Sequence, residues 1–269
     1  MSGVNTYAHT TLSIRISTDG FCFCSYTASE PDTLQYHSYE ADSTITLAAN
    51  FERAWEESPF HKNRSSYDDV NVIMATNEFT TIPTEYDKKE EHRAIYNLCF
   101  PHTPASAYIA SNHLTAQGIT ILFAIDNALH KKLCSISRVT YLCPASILLG
   151  FIARYPIEEE RYMLVYFHKG KSLLLSVERD KPTLINSFKS DNPHDQTFYL
   201  LSIWKEQSLS QSEDTLYLCG DNSVEEVSTL LGQFIRQHKR INPNRLFRSN
   251  LLNRIKDIPF DLQALLLCE

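Results

Sequence analysis

The sequence predicts an α/β protein with mixed sheets, built as a duplication into two lobes with a cleft between them. Three observations carry this. Both halves read strand, tight turn, strand, strand, helix, strand, helix. The period of the apolar residues switches from two to about 3.6 at matching points in each half. A link containing Pro156 and the acidic run Glu158–Glu160 separates them. Three antiparallel strands feeding a helix and a further strand give a mixed sheet with helices on its faces. The expected division is a first lobe over 1–157, with an inserted unit around 80–135, and a second lobe over 158–269.

In the first half, Leu12, Ile14 and Ile16 alternate with Ser13, Arg15 and Ser17, the pattern of a half-buried strand. Thr18-Asp19-Gly20 is a turn and Phe21–Tyr26 the returning strand. A third strand is expected over Leu34–Tyr39. Leu47, Phe51, Ala54 and Trp55 then share a helical face, with Asp42 or Ser43 as the expected cap. "DVNVIMAT" reads as a buried strand. "FTTIPTEYDKKEEHRAIYNLCF" reads as a charged helix entered through Pro83 and Thr84. Ser106–Ser111 and Gly118–Ile125 are expected to pair. Asp126 caps a short helix with Leu129 and Leu133 facing inward. "RVTYLC" is a strand, and Pro144 opens a helix to about Arg154.

The second half begins with a strand over Tyr162–Phe167, a turn at His168–Gly170 and a strand over Lys171–Val177. Glu178–Lys181 turns again into a strand over Pro182–Phe188. Asn192 caps a helix with Pro193 at its first position and Phe198, Leu201 and Trp204 inward. "DTLYLCG" is a buried strand ending at Gly220. Ser223 and Glu226 form the pattern of a capping box before a helix whose apolar face is Val227, Leu230, Leu231, Phe234 and Ile235. "PFDLQALLLCE" reads as a final short helix.

Composition narrows the class. The chain of 269 residues is 43% hydrophobic and 21% charged, ordinary for a soluble globular protein. A formal charge of −7 exerts no global attraction on nucleic acid or anionic membrane. The first residues lack the charged-then-apolar order of a signal peptide, and no apolar run reaches membrane-spanning length. The seven cysteines are odd in number and mostly inside apolar runs. They read as reduced core thiols of a cytoplasmic protein. No metal is expected: there is no C-x-x-C pair, no H-x-H and no H-E-x-x-H. The chain also lacks a G-x-S-x-G elbow and a G-x-x-x-x-G-K-[ST] loop.

The element order resembles the actin-like, or ribonuclease H-like, ATPase fold over nearly the whole chain. "FTTIP", "VTYLCPASILL" and the hairpin of "RYMLVYFHKGKSLLLSV" make it distantly similar to the cytoplasmic actin-like proteins of type IV pilus and type II secretion assembly. It is identified more narrowly with a domain-of-unknown-function family assigned this fold. The resemblance implies an Asp-x-Gly phosphate loop in each lobe's first hairpin, and a Gly-Gly pair against which adenosine lies. Glycine lets backbone N–H groups reach phosphate, and the carboxylate holds magnesium. Matched onto this chain, the candidate ligand cleft comprises Asp19, Gly20, Lys169, Gly170, Gly220 and Asp221. The first acid position falls on Arg15 or on Asp19 in the turn. The second hairpin keeps Gly170 but has no acid, and ammonium groups of Lys169 and Lys171 offer no lone pair to a metal. Asp221 replaces the second glycine, and a strand-to-helix turn also accounts for Asp221, Asn222 and Ser223.

These departures make ATP hydrolysis improbable, since phosphoryl transfer depends on positioned Mg²⁺ and charge stabilisation. No catalytic residue is assigned and no cofactor is expected. The expected function is a non-catalytic interaction scaffold with a protein partner. The alternative is a nucleotide-binding protein or weak ATPase with altered loops, and only that alternative calls for ATP and Mg²⁺. A weaker option is nucleic-acid association through Arg236, Lys239, Arg240, Arg245 and Arg248, in a stretch without acids. A basic helix end and loop whose residues pair with acids such as Glu158–Glu160 is the favoured reading of this stretch.

Overall fold

The computed structural model describes residues 10–27, 30–62, 67–155, 157–241 and 258–268. The first sheet has the order β3-β2-β1-β4-β8, from β1 (Thr10–Ser17), β2 (Gly20–Thr27), β3 (Glu30–Glu40), β4 (Asp69–Met74) and β8 (Val139–Leu142). The second has the order β11-β10-β9-β12-β13, from β9 (Arg161–His168), β10 (Lys171–Glu178), β11 (Lys181–Lys189), β12 (Thr215–Gly220) and β13 (Gln237–Arg240). In each, three antiparallel strands are followed by two parallel ones. A three-stranded antiparallel sheet, β5-β7-β6, is inserted in the first half: β5 (Phe79–Pro83), β6 (Tyr108–Leu114) and β7 (Ile119–Ile125).

Helices cover both sheets and join them. Phe21 and Phe23 of β2 pack on Phe51 and Trp55 of α1 (Leu47–Glu57). The opposite face meets α4 (Pro144–Ile152) and α7 (Phe260–Cys268). Phe260 meets Phe151 edge-on at 5.3 Å and lies tilted against Tyr166 of β9 at 5.8 Å, so one continuous core runs from the first sheet through α4 and α7 to the second. A separate core forms on the far face of the second sheet. There Met163, Val165 and Phe167 meet Leu200 and Trp204 of α5 (Pro193–Glu206), and Val227 and Leu231 of α6 (Ser223–Leu231). This layering explains why β1 is buried on both faces rather than half-buried: Arg15 meets Asp261 of α7, and Ser13 and Ser17 are likewise shielded from water.

The remaining helices lie in the insertion and beside it. Two short 3-10 turns, Thr84–Tyr86 and Lys89–Glu91, precede α2 (His92–Cys99). The expected charged helix thus begins later, because the β-branched residues of "FTTIP" pair with β7 as a strand. Helix α3 (Asn127–Cys134) is capped by Asp126, which accepts from Leu129 N at 2.9 Å and turns Leu129 and Leu133 inward as expected. Asn112 ties β6 to the first sheet: its amide donates to Tyr141 O, and its carbonyl oxygen accepts from Cys143 N and Ser146 Oγ.

Local corrections follow from the same packing. Thr46, not Asp42 or Ser43, caps α1, while Asp42 closes a turn onto Thr44. Phe198 is 67% exposed, because α5 buries Gln196, Thr197, Leu200 and Trp204 instead. Phe234 lies past the end of α6 and is exposed. Among the cysteines, Cys24, Cys143 and Cys219 are buried core thiols, but Cys99 and Cys134 are exposed. No helix among the described residues is long and apolar enough to cross a membrane.

Candidate functional site

The expected cleft residues do come together, where the first hairpin of each lobe meets the other. In the second hairpin His168 pairs with Lys171, leaving Lys169 and Gly170 as a two-residue loop. Their φ values are 47° and 72°, the left-handed pair of a type I′ turn. Gly170 suits the turn, since φ of 72° strains any side chain, and a Cβ there would also displace the Asp191 carboxylate. Lys169 is held in its unusual conformation by Asp221, whose Oδ2 accepts from Lys169 N at 2.7 Å. The Lys169 side chain then crosses the cleft, placing Nζ 2.6 Å from Asp19 Oδ2. Burial opposes the charge on Asp19, but Lys169 and Ser17 together hold its carboxyl below the usual carboxylate range.

Asp221 is fully engaged within the protein. Its Oδ1 accepts from Ser223 N at 3.0 Å and Ser223 Oγ at 2.6 Å. Its own N donates to Phe167 O. The expected capping box of α6 is therefore replaced. Asn222 occupies the cap position without a side-chain bond, and Ser223 turns to Asp221 rather than to Glu226. Gly220, at φ 126°, lets β12 press onto β9, since a Cβ there would stand 1.9 Å from Phe167 O.

Below these turns sits a charge pair that reading the sequence did not find. Arg15 Nε donates to both carboxylate oxygens of Asp261, at 2.8 and 2.9 Å. The two side chains are 4% and 0% exposed. Burial alone would weaken the charge on Arg15, but Asp261 more than offsets it and its pKa is raised. Tyr166 and His168 flank the pair. Burial, and then the Arg15 charge, lower the His168 pKa to about 4, so this imidazole is neutral at physiological pH. The one signal in the sequence was a lone carboxylate in "PFDLQALLLC", where Gln263 is the one other polar side chain.

The lobes are thus latched. Lys169 meets Asp19, Arg15 meets Asp261, Lys171 Nζ reaches Ala75 O at 3.5 Å, and Ser187 Oγ donates to Asn77 O at 2.8 Å. What remains of the cleft is a cavity of about 30 Å³. A larger cavity, about 370 Å³, lies in the inserted unit between Glu78, Phe100, Pro101, His102 and Asp126. No group of three or more histidine, cysteine or acidic side chains among the described residues is arranged to hold a metal. Of the basic stretch, Lys239 pairs with Glu159 at 2.5 Å and Arg240 pairs with Glu225. Arg236 is exposed, and Arg245 and Arg248 lie outside the described residues.

A family model described as "Protein of unknown function (DUF3822)" matches residues 3–238. The chain belongs to this family. Comparison with curated proteins gives no match. A protein from Bacteroides thetaiotaomicron, described as having an actin-like ATPase fold and unknown function, superposes with a TM-score of 0.82. It is 27% identical, with 100% of both chains covered. A PilM–PilN type IV pilus biogenesis complex superposes with a TM-score of 0.60 at 14% identity, over 96% of this chain and 98% of the other. This DUF3822 protein therefore has the duplicated actin-like ATPase fold that its element order implied.

Proposed function

We propose that this DUF3822 protein is a non-catalytic actin-like module that serves as an interaction scaffold in the cytoplasm, its lobes dividing near residue 157. The observation that carries the reading is the chain Asp19–Lys169–Asp221. In the matched positions of the fold, a carboxylate holds a cation and glycines admit phosphate. Here an internal ammonium group stands against Asp19, and a carboxylate is spent on a backbone N–H. An ammonium cannot coordinate magnesium, and a cavity of about 30 Å³ is far below the volume a drug-sized ligand needs, roughly 300 Å³. The protein-partner part of the reading is supported by the likeness to PilM in its complex with PilN. Room for a partner's side chains exists in the inserted unit rather than in the cleft.

Phosphate release from ATP with and without magnesium tests this. The proposal expects no turnover above a buffer blank. Magnesium-dependent turnover that disappears in Asp19→Ala would establish the weak-ATPase alternative instead.

A further inference from the structure

The cavity of about 370 Å³ in the inserted unit has three walls. One is Glu78, between β4 and β5; one is the chain between Cys99 and Ala107; one is Ala124–Asp126, where β7 runs into α3. Its fixed charge is of one sign. The carboxylates of Glu78 and Asp126 face it, and neither lysine nor arginine lines it; His102 is its one histidine. Both acids have capacity to spare. Glu78 donates its N to Thr76 Oγ1 and accepts from the Tyr96 hydroxyl at its backbone O, while its carboxylate has no partner among the described residues. Asp126 spends Oδ1 on Leu129 N, and its Oδ2 makes no hydrogen bond with the described residues.

The rest of the wall is largely apolar. Phe100, Pro101, Pro104 and Ile125 contribute to it, and the Phe100 ring is held against Tyr96 at 4.8 Å. The volume falls within the range of ligand pockets, roughly 300–1,000 Å³. Two unpaired carboxylates repel phosphate and other anions and attract a cation. A bare metal ion is not served, since no group of three or more histidine, cysteine or acidic side chains among the described residues is arranged to hold one. An aliphatic stem ending in a guanidinium fits both parts of the wall. The stem lies along apolar surface, the planar fork pairs with carboxylates, and the cation gains from an aromatic face. The neighbours of the cavity point to a chain rather than a free small cation. Leu98 and Tyr108, each next in sequence to a lining residue, are large apolar side chains exposed to solvent. Exposed apolar surface beside a pocket marks a site of protein contact.

We propose that this cavity receives an arginine side chain from an extended segment of a protein partner, with Glu78 and Asp126 as its counter-charges and Phe100 as its apolar wall. The proposal rests on the scaffold reading and names the chemistry by which that scaffold recognises its partner.

The test is modification of the native full chain by a thiol reagent, mapped by mass spectrometry. Cys99 lines the cavity, and the exposed Cys134, which does not, is the internal control. The probe is a capped alanine peptide with one central arginine at millimolar concentration and constant ionic strength. The same peptide with citrulline keeps the shape and removes the charge, and spermidine stands for a free cation. The arginine peptide should slow modification of Cys99 saturably and leave Cys134 unchanged, while the citrulline peptide and spermidine give no saturable protection. Glu78→Gln alters an exposed side chain, and Asp126→Asn keeps a residue that caps helices. Each should raise the half-protecting concentration several-fold. No saturable protection by the arginine peptide, equal protection by citrulline or spermidine, or an unchanged midpoint in both variants would each overturn the proposal. The scaffold reading fails separately, on magnesium-dependent ATP turnover, which none of these outcomes touches.

Discussion

Replacing Asp261 by asparagine keeps the shape of the side chain and removes the charge that Arg15 faces. Arg15 is 4% exposed and its Nε lies 2.8 and 2.9 Å from the two carboxylate oxygens, so the guanidinium would stay buried without a counter-charge. Removing one partner of a buried pair costs about 3–5 kcal/mol, because the surviving charge has already lost its hydration. Arg15→Met should cost a similar amount by leaving Asp261 bare. The double variant leaves no bare charge and should be less destabilised than the sum of the singles by about 2 kcal/mol or more. Urea unfolding of the four proteins, with unchanged m-values, measures the coupling. Additive effects, or an Asp261→Asn cost below about 1 kcal/mol, would refute the claim that α7 is anchored through this pair.

Other predictions concern the same region and the thiols. His168 has its pKa lowered from 6.5 to about 4. Between those values the unfolded chain binds the proton and the native state does not, so stability rises with pH across the window and falls on acidification. The loss from neutral pH to pH 4 should be about 2–3 kcal/mol, and His168→Asn should flatten that part of a stability-against-pH curve. Asp19, whose folded pKa is depressed, adds its loss only below about pH 4. Gly220→Ala should cost about 3 kcal/mol or more, since the new Cβ would meet Phe167 O. Gly118→Ala, with open space around it, should cost about 1 kcal/mol in the same melts. With a thiol reagent under native conditions, Cys99 and Cys134 should react first and Cys24, Cys143 and Cys219 only on unfolding.

Much of this architecture was readable because it is local. The alternation in "TLSIRIS", the paired apolar runs around His168–Gly170, and the caps at Asp126 and Asn192 each depend on residues a few positions apart. The gathering of Asp19, Lys169 and Asp221 was reachable only through the resemblance, which aligned two hairpins 150 positions apart. What the reading missed is non-local or lacks a period. Arg15 looked like the wet face of a half-buried strand because its partner lies 246 positions away. The strand β13, "QHKR", has no apolar residue to alternate and is placed by backbone pairing with β12 and by the ion pairs of Lys239 with Glu159 and Arg240 with Glu225. "FTTIP" is too short for a strand pattern to outweigh the helix that follows it. Ser223 and Glu226 have the spacing of a capping box, but Asp221 offers Ser223 a closer acceptor.

Isothermal titration of the wild-type protein with magnesium-ATP, beside Lys169→Gly, is the most direct measurement on the closed cleft. A cleft held by Lys169 against Asp19 predicts no saturable heat for the wild type. Saturable, magnesium-dependent binding to the wild type, lost when Asp19 is changed to asparagine, would contradict it.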